Sequence, residues 1–101
     1  MEFKICIVHF GGCINLETPP PLIPSSVTDI RRTFMNCYKL SGAIQIEANI
    51  TGKMIDDEID CKNCFALDEP TKNETNINLT GDKTVLNLII DNSPNNTIHI
   101  E

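Results

Sequence analysis

From Ile44 onward the apolar residues of this chain fall at every second position. Ile44, Ile46, Ala48 and Ile50 alternate with Gln45, Glu47, Asn49 and Thr51. Successive side chains of a strand point to opposite faces, so the pattern describes a strand with one buried and one solvated face. The same period returns at Ile77 and Leu79, at Leu86, Leu88 and Ile90, and at Ile98 and Ile100. Gly81-Asp82 and Asn92-Ser93-Pro94-Asn95-Asn96 carry turn chemistry between these runs, as hairpin connections do. Thr51-Gly52-Lys53 turns the chain into a weaker strand, Met54–Ile59. There Asp56-Asp57-Glu58 breaks the alternation and suits a sheet edge.

The N-terminal half reads differently. Phe3 to Phe10 is apolar on both faces and ends at Gly11-Gly12, which predicts a buried strand. Its short apolar run, interrupted by His9 and preceded by Glu2, argues against a secretory or lipoprotein leader cleaved before Cys13. Residues 17–25 form a Pro-rich connector. Pro19, Pro20, Pro21 and Pro24 favour extended geometry and cannot continue a helix. After it, Ser26 suits an N-cap, with Asp29 three residues on. Val27, Ile30, Phe34, Cys37 and Tyr38 then recur at helical spacing, and Gly42 offers a left-handed stop. The expectation is a single domain over 1–101 of the α+β class: one α-helix packed on a predominantly antiparallel sheet of four to six strands.

Function is bounded mainly by exclusion. The formal net charge is −6, and Arg31-Arg32 is the only basic cluster, which argues against nucleic acid and anionic lipid as partners. No apolar run is long enough to span a bilayer. The chain has two histidines and no G-x-S-x-G, H-E-x-x-H or Gly-rich phosphate loop, so no enzyme activity is expected. The expected role is a small acidic protein-interaction module, inhibitory or accessory, whose partner is another and basic protein. Its expected contact surface is Asp56, Asp57, Glu58 and Asp60 with the neighbouring Cys61–Cys64 loop.

Two other readings stay open. Asn49, Asn73, Asn78 and Asn95 each begin an Asn-x-Thr triplet and would be glycosylated in a secreted protein, with the five cysteines then supplying disulfides. An intracellular location is the preferred reading, since such triplets arise readily in an Asn- and Thr-rich chain. Cys61-x-x-Cys64 has the spacing of half a zinc site, but no second such pair completes it, and no other cofactor is implied. As a redox pair it is crowded by Glu58, Asp60, Asp68 and Glu69, whose charge opposes thiolate formation.

Ala48-Asn49-Ile50-Thr51-Gly52 resembles the inhibitory Gln-x-Val-x-Gly hairpin of cystatin-type cysteine-protease inhibitors, which also follows a strand and a helix. Ala48 stands where that family has glutamine, and the chain has no tryptophan. The resemblance covers five residues and an order of elements, and assigns no membership.

Overall fold

A computed structural model describes residues 15–69 and 76–101. The strand expected at Phe3–Phe10, with Cys6, His9, Cys13 and the triplet at Asn73, lies outside them. The elements in chain order are β1 (Leu22–Ile23), β2 (Ser41–Ile46), β3 (Met54–Ile55), β4 (Glu58–Ile59), β5 (Asn76–Gly81), α1 (Lys83–Asp91) and β6 (Ile98–Ile100).

The main sheet has the order β1-β2-β5-β6, and every neighbouring pair is parallel. Ala43 lies beside Asn78, which lies beside His99. This overturns the expected antiparallel sheet; among the described residues only the small β3–β4 ribbon is antiparallel. Alternation reports which face of a strand is buried and is silent on which way its neighbour runs. Direction is set by the connections. Gly81-Asp82 does not make a hairpin; it leads into α1, and that helix carries the chain back so that β6 starts at the same end as β5. Crossovers of this kind are what parallel pairing requires.

The helix also lies elsewhere than expected. Residues 26–40 contain no helix, whereas Lys83–Asp91, expected as a strand, is the only helix among the described residues. Asp82 is its N-cap, accepting a hydrogen bond from Val85 N at 3.2 Å, and Leu86 and Ile89, one turn apart, face the core. Residues 26–40 are drawn off by a different set of partners. Ile30, Arg32, Phe34 and Asn36 donate their N–H groups to the carbonyls of Asp60, Lys62, Cys64 and Ala66, at 2.9, 2.9, 2.7 and 2.8 Å. Arg32 and Asn36 adopt φ of 56° and 60°, which no α-helix accommodates.

That ladder defines the architecture. The chain winds in stacked coils, each contributing a strand to the parallel sheet and a turn-rich return segment to the opposite layer. A third return segment adds to the second: Asn63 N reaches the Asn92 carbonyl at 2.7 Å and Leu67 N that of Pro94 at 3.0 Å. Between the layers lie Ile23, Ile44, Ile46, Ile77 and Leu79 from the sheet, with Phe34 and Phe65 from the returns, all buried. The two rings stack with centroids 5.1 Å apart and planes 11° from parallel. The Pro-rich connector also joins the sheet, since Gln45 N donates to Pro21 O at 2.9 Å and Glu47 N to Ile23 O at 2.8 Å. Proline accepts but cannot donate, which suits it to the outermost described strand.

Candidate functional site: the acidic hairpin

The feature that departs from the coil stack is the β3–β4 hairpin. Its turn is Ile55-Asp56-Asp57-Glu58, with Asp56 at φ 50° and Asp57 at φ 67°. Positive φ at both central residues belongs to the type I′ turn, whose twist matches the flanking strands and which aspartate tolerates. The Asp56 side chain is 89% exposed and Asp57 is exposed too. Met54, at 65%, is the most exposed large hydrophobic among the described residues.

The hairpin is anchored by Arg31. Its guanidinium donates from Nε and Nη2 to the two carboxylate oxygens of Asp29, each at 3.0 Å. From Nη1 it donates to the Ile55 carbonyl and to Glu58 Oε1, again at 3.0 Å. Asp56 Oδ2 lies 3.9 Å from Nη2. Arg32 donates to the other oxygen of Glu58. A planar fork of fixed donors fits such a bidentate carboxylate and leaves spare N–H groups for a strand carbonyl. Hydrogen bonding from Arg32, then from Arg31, holds the Glu58 carboxyl below its ordinary range, and the Asp29 bond raises Arg31 above its own.

The four acidic residues expected to act as one surface therefore sit in three environments. Asp56 and Asp57 face solvent. Glu58 is half-buried and ion-paired inward. Asp60 is fully buried. Its Oδ2 accepts from Thr51 N at 3.1 Å, its backbone N–H reaches Lys53 O and its carbonyl receives Ile30 N, each at 2.9 Å, while Oδ1 has no protein partner. A helix over residues 26–40 would turn Asp29, Arg31 and Arg32 to solvent; in the turns that replace it, Arg31 and Arg32 meet the hairpin instead. The pointer to them was that Arg31-Arg32 is the one adjacent basic pair in an acidic chain.

Cys61 and Cys64 are not on a surface knuckle. Both are fully buried in the return layer, and among the described residues no group of three or more metal-ligating side chains converges. Burial, with Asp60 beside it, pushes the Cys61 thiol up to about 12. Burial also raises Cys64 well above its ordinary value. Cys37 is buried too. Of the triplet asparagines, Asn49 is exposed, and Asn78 is half-buried in β5. Asn95 is exposed, yet its Nδ2 donates to Leu67 O at 2.7 Å. No helix among the described residues is long and apolar enough to cross a membrane. Comparison with protein-family models, with curated proteins and with solved structures finds no match.

Proposed function

We propose that this chain is a small non-catalytic protein-interaction module that presents the Asp56-Asp57 turn to a basic partner. The observation that supports this reading is the contrast within the hairpin: its stem is tied down by Arg31 and Arg32, whereas its two turn aspartates and Met54 point to solvent. A rigid acidic tip beside an exposed thioether offers charge for steering and an apolar contact for adhesion. Recognition then involves Asp56 and Asp57, with Glu58 and Asp60 serving the shape of the hairpin.

The test is affinity for a lysine-rich peptide, measured by calorimetry at two salt concentrations. D56N/D57N should weaken binding several-fold more than neutralising the exposed Glu17 and Glu101, which removes the same charge elsewhere. Equal losses in the two double variants would mean that only net charge matters, and would sink the assignment.

A further inference from the structure

Cys61 and Cys64 close a single turn. Cys64 N donates to the Cys61 carbonyl at 3.2 Å, and Asn63 between them sits at φ 57°. The ends of a hydrogen-bonded four-residue turn lie within about 7 Å, Cα to Cα, and a disulfide spans about 4.4–6.8 Å. Both side chains are fully buried in the same apolar cluster, so both point inward from the turn. Both are thiols in this structure.

The backbone here is fixed independently of sulfur. Lys62 N bonds to Ile59 O at 2.9 Å, Asn63 N to Asn92 O at 2.7 Å, and Phe34 N to Cys64 O at 2.7 Å. Joining the two sulfurs therefore needs rotation of two side chains and no rearrangement of the coil stack. We propose that Cys61 and Cys64 are a reversible oxidation site, forming a turn-closing disulfide by exchange with a small-molecule disulfide such as glutathione disulfide.

The steps balance. One protein thiolate attacks a sulfur of glutathione disulfide, forming a mixed disulfide and releasing one glutathione thiolate, which takes up the proton the protein lost. The second protein thiolate attacks the protein sulfur of the mixed disulfide and expels the second glutathione, which is protonated likewise. The protein loses two protons and two electrons, and glutathione disulfide gains both. Because burial suppresses both thiolates, the exchange proceeds through transient opening of the turn, and is slow. Cys37, buried in the same cluster one coil away, is the competing partner.

The test uses the whole reduced chain, folded and in urea, exposed to glutathione disulfide. Remaining thiols are alkylated, and the protein is digested without reductant for mass analysis. The folded protein should show one linkage, Cys61–Cys64, forming more slowly than in urea but favoured at equilibrium by at least about tenfold over the same pair in the unfolded chain. Cys37→Ser should retain it. A Cys37–Cys64 linkage, a linkage to Cys6 or Cys13, or no linkage in the folded protein where the unfolded chain is oxidised would each overturn the proposal.

Discussion

Glu58 accepts a hydrogen bond from Arg31 at 3.0 Å although 27 residues separate them in the chain. Arg31 belongs to the first return segment and Glu58 to the hairpin, so this contact joins two coils and fixes the stem beneath the acidic turn. A carboxylate whose folded pKa is depressed stabilises the fold above its unfolded pKa, and that contribution fades as pH falls through the folded value. Glu58→Gln should therefore lower the urea midpoint at pH 7. The gap to wild type should close on acidification below the ordinary 4.5 of a glutamate carboxyl. Urea melts at pH 7 and pH 3 read this directly, and an unchanged gap at pH 3 would contradict it.

Gly81 ends β5 beside Ile46 at φ 143°, and a Cβ there would stand 2.5 Å from the Ile46 carbonyl oxygen. Gly81→Ala should destabilise by about 1–3 kcal/mol, since strained backbone and a clash with main chain act together. Equilibrium unfolding measures it. A neutral result would mean that β2 and β5 do not approach as described.

Phe34 and Phe65 come from successive return segments, and their stacked rings fill the space between layers. Either residue replaced by alanine should cost about 3–5 kcal/mol. The double variant should show a coupling of about 0.5–1.5 kcal/mol, the part specific to ring against ring. Additive losses would place the rings apart.

Asn96 links the third return segment to the second, with Nδ2 on the Phe65 carbonyl at 2.8 Å. Asn96→Ala leaves that carbonyl without this donor and should cost about 0.5–1.5 kcal/mol. Amide exchange should report the loss locally, in faster exchange at Phe65, whose N–H is held by Ser93 Oγ at 3.1 Å.

Burial was more legible in the sequence than direction or helicity. Ile44, Ile46, Ala48 and Ile50 are buried as their alternation implied, and so are Val27, Ile30, Phe34 and Cys37. The last four, however, occupy a chain of turns, because spacings of three and four also serve residues facing a core from successive turns. What makes them turns is the ladder to Asp60–Ala66, a contact thirty residues distant that no local pattern encodes. Likewise Leu86, Leu88 and Ile90 alternate like a strand, yet Asp82 caps the segment and Leu86 and Ile89 supply the helical face. The asparagines that read as compositional excess bridge the coils at Asn36, Asn95 and Asn96. The acidic residues of the hairpin were visible, but their division into exposed, paired and buried depends on Arg31, which reaches them only through the fold.

The most direct test of the hairpin's role is amide chemical-shift mapping during titration with the lysine-rich peptide. The largest changes should fall on Ile55, Asp56, Asp57 and Glu58, with Ala43, Gln45 and Asn78 on the outer face of the sheet left in place. Shifts concentrated on that sheet face, or spread evenly over the exposed carboxylates, would contradict the assignment of the Asp56-Asp57 turn as the partner surface.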